Sequence, residues 1–386
     1  MTDMQFQESL LDSERQRLAR EYDSISRWLS FAEMGVVGVL LLALVFGGIS
    51  ARVSHLLDFP QPWASALYFL GLVILIGILT LPLTYYQGFV LSHRYGLSKQ
   101  TLSDWITDGL KATGIGLLLG VAIVLVVYLF IDRFEGTWWL WAASALFLFT
   151  VLLTHLTPTL LLPLFFELET LGNVDLKQRL TELARRAKTD IRGIFTMNLS
   201  SKNTTANAML AGLGNTRRII LSDTLIDQYT PEEIEVVMAH EMGHHLHKDI
   251  PKLIAVQAVV FVAAFYLGDL ALKAGIVPFG LRGISDVTGL PLLALVLAAF
   301  GLLITPLVNA FSRYVEKLAD KAALELTANP GAFVSAMTKL TDQNLSVANP
   351  SRLVELWFYD HQPYVRRVNL AQGFLKKVSQ GEDKSN

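Results

Sequence analysis

Residues 230–248 read TPEEIEVVMAHEMGHHLHK. Thr230 can cap a helix, Pro231 fits its first position, and Glu233 falls three residues after the cap, where its carboxylate can close a capping box. The pattern predicts a helix running through the histidines to about Lys248, with Pro251 interrupting it. His240 and His244 are four residues apart, so they project about 40° from each other one turn along the axis and can hold one metal ion. Glu241 lies beside His240 but off the metal axis, where a carboxylate can take a proton from metal-activated water. Four of the eight histidines in the chain fall within this stretch. His245 points away from the pair, and His247 lies two turns along its stripe. Both read as polar or supporting residues.

The 386-residue chain places this helix in an apolar setting. It is 52% hydrophobic and 17% charged, whereas a water-soluble domain is nearer one quarter charged. Its mean hydropathy is +0.42. A net charge of -2 offers no global field for nucleic acid. Cysteine is absent, which excludes disulfides, thiolate metal sites and a cysteine nucleophile. Any metal must be held by His, Asp or Glu.

Six stretches are apolar enough to cross about 30 Å of hydrocarbon: Leu29–Ile49, Trp63–Tyr85, Thr113–Ile131, Trp138–Leu160, Leu253–Leu272 and Leu292–Phe311. Residues 1–28 are polar and mixed in charge, so the first stretch reads as an uncleaved span rather than a signal peptide. Trp63, Trp138 and Trp139 at span starts resemble interface anchors. Arg15, Arg17, Arg20 and Arg27 precede the first span, while the next loop carries only Arg52. Continued along the chain, the alternation puts both termini and residues 166–252 in the cytoplasm.

Residues 166–252 therefore form an insertion between spans four and five. Leu176–Ala187 reads as an amphipathic helix. Ile194–Ser200, Asn207–Leu213 and Arg218–Ser222 read as short strands, with Gly214-Asn215 as a turn. The tail after about Val378 is polar and reads as disordered.

A zinc peptidase needs a third protein ligand and an open position for water. Span six returns to the side of the histidine helix and is followed by SRYVEKLAD, residues 312–320. Glu316 and Asp320 share one helical face. Glu316 can ligate, and Asp320 can hydrogen-bond a ligand histidine. As a solvated face, this helix would carry the repulsive pairs Glu316–Asp320 and Lys317–Lys321. A nearby ion accounts for the two carboxylates better.

The H-E-x-x-H of residues 240–244, followed after a span by S-R-x-x-E-x-x-A-D, resembles the type I CAAX prenyl proteases. These are integral-membrane gluzincins with an intramembrane chamber. Tyr95–Thr101, Thr157–Phe165 and His361-x-Pro363-x-x-x-Arg367 are similar to further motifs of that family. The resemblance implies one Zn2+ per chain on His240, His244 and Glu316, with Glu241 as general base and Asp320 orienting a ligand histidine. It implies that His361 and Arg367 stabilise the oxyanion or hold substrate, and that Asn207 and Ala208 pair with an extended peptide. Gln362 stands where the family has a proline. Six spans, against the seven described for eukaryotic relatives, and a shorter chain imply a bacterial or archaeal member, placed in the inner membrane with its site opening to the cytoplasm.

The expectation is a mainly α, polytopic membrane protein: about six transmembrane helices enclosing a chamber, and a gluzincin-like insertion with a small β-sheet. Residues 1–165 would hold four spans, and 166–386 the zinc peptidase domain with two more. The expected function is metalloendopeptidase action on peptides or proteins, prenylated or membrane-bound, in CAAX-type C-terminal processing or membrane-protein quality control. A transporter or a catalytically silent scaffold is the alternative. A transporter would place its ionisable residues mid-span, whereas here only a few do, among them Glu33, His155 and Asp269. A silent scaffold would lack Glu241 or a ligand, and none is lacking.

Overall fold

The structure, a computed structural model, describes residues 10–54, 59–61, 63–212 and 217–382. The Gly214-Asn215 turn lies outside the described residues.

Helix α1 spans Ser13–Phe46 and is capped by the Asp12 carboxylate, which accepts from the backbone N–H groups of Glu14 and Arg15. A short α2, Ile49–Ser54, follows. Helix α3, Trp63–Tyr85, passes through a π-helical turn at Tyr86–Leu91 and continues to Arg94. Helix α4 covers Leu102–Arg133, and α5 covers Trp138–Leu156 before a π-helical turn at Thr157–Leu161 that contains Pro158. Next come β1 Leu168–Thr170, α6 Val174–Arg186, β2 Gly193–Met197, β3 Ala208–Ala211 and β4 Arg218–Ser222. The helices α7 Asp223–Gln228, α8 Pro231–Leu246, α9 Asp249–Gly275, α10 Leu290–Thr327, α11 Pro330–Gln343, α12 Arg352–Phe358 and α13 Tyr364–Glu382 complete the chain.

Among the described residues six helices are long and apolar enough to cross a bilayer; five contain the stretches read from the sequence, and the first ends at Phe46, short of the expected Ile49, which starts α2 instead. They present Ile74, Ile78, Leu118, Val259 and Leu303 outward, as a chain solvated by lipid tails would. Inside, α5 packs on α9 and α1 on α3 and α10. Trp138 is not an interface anchor. It is fully buried, and its indole N–H donates to Asp269 Oδ1 at 2.7 Å. Lys273 Nζ donates to Asp269 Oδ2 at 2.7 Å, so a buried carboxylate within a spanning helix is paired on both oxygens.

The four strands order as β1-β2-β4-β3. β1 pairs antiparallel with β2, β2 parallel with β4, and β3 antiparallel with β4. β3 is therefore an edge strand. β1 was not expected: three residues are too few to show an alternation. The sheet, α6, α8, α11 and α13 share one apolar core around Leu180, Leu183, Ile219, Leu221, Ile234 and Phe333. That core forms the base on which the histidine helix sits.

Two further expectations change. The chain after Val378 stays helical to Glu382. The histidine helix ends at Leu246 rather than Lys248: Lys248 adopts a left-handed backbone with φ of 53°, and α9 begins at the next residue. Pro251 then lies in the first turn of α9, where its missing N–H removes no helical bond.

Candidate active site

The cap of α8 forms as its sequence dictates. Glu233 N donates to Thr230 Oγ1 at 3.3 Å, and Thr230 N donates to Glu233 Oε2 at 2.8 Å. Lys339 Nζ also reaches Glu233 Oε2, at 2.7 Å, and Ser335 Oγ donates to Oε1 at 2.5 Å. Burial alone would raise the Glu233 carboxyl; the Lys339, Ser335 and Thr230 hydrogen bonds outweigh it and hold the group below its usual value.

Helix α8 lies against α10 at Gly243. A Cβ added there would meet Ala319 Cα at 2.9 Å, Ala319 O at 3.0 Å and Ala322 Cβ at 3.0 Å. Only glycine permits that approach. It brings Glu316 of α10 to the histidines: His240 Nε2 is 3.2 Å from Glu316 Oε2, and His244 Nε2 is 3.3 Å from Oε1. One donor atom from each of His240, His244 and Glu316 lies within 4.8 Å of the others.

The donor set fits a metal such as zinc. Ligands about 2.0–2.1 Å from a tetrahedral ion stand about 3.3 Å apart, which matches both imidazole–carboxylate separations. The outer nitrogens of the two rings are also engaged: His240 Nδ1 meets Asp320 Oδ1 at 2.8 Å, and His244 Nδ1 meets Asp249 Oδ2 at 3.2 Å. A proton held on Nδ1 by a carboxylate leaves the Nε2 lone pair for a cation. Burial works against protonating His240, but Asp320 and Glu316 outweigh it and raise the imidazole to about 10. A metal ion would displace that proton from the Nε2 side.

Asp320 is fully buried, and Arg367 offsets its charge. Arg367 Nη2 donates to Asp320 Oδ1 at 2.5 Å and Nε to Oδ2 at 3.0 Å. The repulsion expected between Glu316 and Asp320 is thus relieved by a guanidinium as well as by the histidines. Arg367, expected to stabilise the oxyanion or hold substrate, lines the cavity described below, and its hydrogen bonds go to the carboxylate that holds His240. On the exposed face of α10, Lys321 pairs with Glu325 at 3.4 Å.

A cavity of about 640 Å³ opens beside these groups. Glu241 and His240 line it, and so do Asn207 and Ala208 at the head of the edge strand. Residues 22–30 of α1 form the facing wall, with Arg27 and Asp23 paired there. His361 stands in the cavity with Nε2 3.6 Å from Glu316 Oε2 and Nδ1 2.8 Å from Asp360 Oδ1. The Asp360 hydrogen bond, with the Glu316 charge behind it, raises the His361 imidazole above its usual value. Gln362 Nε2 donates to the Arg313 carbonyl at 2.7 Å, tying the His361 loop to α10. Arg313, buried, donates to the carbonyl of Glu355 in α12 and to that of Tyr359, which leads into the same loop. His247 closes the end of α8, its N–H bonded to the Gly243 carbonyl.

Sequence reading did not single out Asp249. It lies across the break at Lys248, and only the left-handed turn folds it back onto His244.

The profile described as peptidase family M48 matches residues 171–374, and that described as the CAAX prenyl protease N-terminal region, with five membrane helices, matches residues 5–167. Within that second range the described residues hold four helices of crossing length. The chain is 30% identical to the uncharacterized metalloprotease YhfN of Bacillus subtilis, over 92% of this chain and 85% of that one. It is 31% identical to the CAAX prenyl protease 1 homolog of Arabidopsis thaliana, over 96% and 90%. The crystal structure of S. mikatae Ste24p superposes with a TM-score of 0.82 at 25% identity, covering 94% of this chain and 90% of that one.

Proposed function

The chain belongs to peptidase family M48, and from that premise we propose that this integral-membrane metallopeptidase uses zinc on His240, His244 and Glu316 to hydrolyse extended peptides. The observation that carries the reading is the convergence of three donor atoms within 4.8 Å beside a cavity that Glu241 also lines.

When bound, zinc supplies the Lewis acidity that makes water nucleophilic near neutral pH. The protein's own groups do the rest. Asp320 and Asp249 keep the Nδ1 protons of His240 and His244 in place and so aim both Nε2 atoms at one point. Arg367 neutralises Asp320 and fixes its oxygens. Glu241 takes the proton from the attacking water and passes it to the leaving amine. His361, its imidazole raised by Asp360 and Glu316, donates to the carbonyl oxygen as charge develops there. Asn207 and Ala208 offer an edge strand to which an extended peptide adds as a further strand.

Residues 1–165 and 166–386 serve as the membrane and peptidase parts. The arginines before span one support a site opening to the cytoplasm, and the Bacillus relative supports placement in a bacterial or archaeal inner membrane. Relatives named as CAAX prenyl proteases support CAAX-type C-terminal processing, with a prenylated peptide as the substrate class.

The test is cleavage of a peptide library by the detergent-purified chain. Phenanthroline should abolish cleavage, and Zn2+ should restore it better than Mg2+ or Ca2+. Cleavage that survives complete removal of metal contradicts the reading.

A further inference from the structure

The edge strand beside the metal site has its backbone groups assigned one residue at a time. Asn207 N donates to Ser222 Oγ at 3.0 Å, and the Asn207 carbonyl accepts from Ser222 N at 2.9 Å. Both backbone groups of Asn207 therefore face β4. Successive residues of an antiparallel strand turn these groups to opposite sides, so those of Ala206 and Ala208 face away from β4. Ala208 stands opposite Leu221 in the register.

On that outer side, Ala206 already has a partner. Its N–H donates to Asn344 Oδ1 at 2.9 Å, and its carbonyl accepts from Asn344 Nδ2 at 3.2 Å. One carboxamide thus imitates a neighbouring strand at a single residue. Ala208 is the next residue along whose backbone groups turn outward, and it too lines the cavity shared with Glu241.

Asn344 is held from several directions. It caps α11, and the next residue, Leu345, takes a left-handed backbone with φ of 48°. Gln343 Nε2 donates to Thr204 O at 2.8 Å, while Tyr229 Oη donates to Gln343 Oε1 at 2.8 Å. From α1, Arg15 donates to the carbonyls of Asp342 and Gln343, and Gln16 Nε2 donates to Ser346 O at 3.2 Å. Gln16 Oε1 accepts from Ala348 N at 3.1 Å. This loop, which also lines the cavity, is pinned on both sides of one asparagine, and the carboxamide of that asparagine grips the start of the edge strand.

We infer that Asn344 is a positioning residue for substrate: its carboxamide fixes the head of β3 so that the outward N–H and C=O of Ala208 stand ready beside Glu241. The inference rests on the proposed pairing of substrate with Asn207 and Ala208. Asn344 touches neither the metal ligands nor Glu241 through any hydrogen bond, so its loss acts on substrate binding and leaves the chemical step alone.

The experiment compares detergent-purified wild type, Asn344→Ala and Asn344→Asp on one fluorogenic peptide, with metal content and thermal midpoint measured in parallel. Losing two hydrogen bonds that order the binding edge raises KM about tenfold in Asn344→Ala with kcat within about twofold, the signature of lost uniform binding. Asn344→Asp keeps the acceptor for Ala206 N and loses the donor, so its KM rises about threefold. If Asn344→Ala loses its metal or does not fold, Asn344→Asp decides by the same criteria. A KM that is unchanged or lower in a metal-replete variant, or a loss confined to kcat, overturns the inference. A wild type that cleaves no peptide, or that cleaves without metal, would instead overturn the proposed function.

Discussion

Gly243 of α8 and Ala319 of α10 touch so closely that a Cβ on Gly243 would stand 2.9 Å from Ala319 Cα. His240 and His244 lie on one side of this contact and Glu316 on the other. The distance between ligand-bearing helices is thus set by the smallest side chains available. Gly243→Ala forces backbone apart, because the nearest obstructing atoms, Ala319 Cα and O, are main chain and cannot swing aside. It should cost about 1–3 kcal/mol of stability and weaken metal binding as Glu316 withdraws. Equilibrium dialysis of the variant against a chelator measures this. Wild-type metal affinity would show that the helices can separate without opening the site.

Asp249 should matter as much as residues with more conspicuous positions. It is fully buried and meets His244 Nδ1 at 3.2 Å and Lys252 Nζ at 3.0 Å. Asp249→Asn keeps the shape and removes the charge that holds the His244 tautomer. Loss of such a partner typically weakens a metal site about 10–100-fold. A competition titration with a zinc indicator reads the change directly. An unaltered constant would mean that Asp249 only anchors the start of α9.

The cap of α8 makes stability depend on pH in a defined direction. The folded Glu233 carboxyl lies below its ordinary value of 4.5. A group depressed on folding contributes stability that is present above its unfolded pKa and is lost as pH falls through the folded value. Glu233→Gln should therefore lower the thermal midpoint near neutral pH, by an amount worth about 1.5 kcal/mol. The gap to wild type should close as pH falls below about 4.5. A gap that stays constant down to strongly acidic pH would mean the carboxylate charge is not what Lys339 and the helix cap recognise.

Much of this was legible in the sequence, for physical reasons that differ by residue. The six spans follow from bilayer thickness alone, and the α8 cap follows from Thr230, Pro231 and Glu233 at fixed offsets. Glu316 could be found because span six must return its chain to the histidine side. What was hidden depends on contacts between distant residues or on breaks in periodicity. Trp138 looked like an interface anchor until Asp269, 131 residues away, took its N–H. Asp249 was masked because helical periodicity assumes that α8 runs on, whereas Lys248 turns left-handed and starts a new helix. Asn344 lies 138 residues from Ala206, and no local pattern links a cap asparagine to an edge strand. Arg367 was found by its motif, yet its nearest partner proved to be Asp320. The transporter and silent-scaffold alternatives find no support in family membership or in the site.

The central claim is that Glu241 performs proton transfer at a metal held by three other side chains, and one variant separates those roles. Glu241→Gln, purified as the intact chain in detergent, should bind one zinc per chain with wild-type affinity and hydrolyse peptide at least about a hundredfold more slowly. Turnover at the wild-type rate in the metal-replete variant would contradict the account.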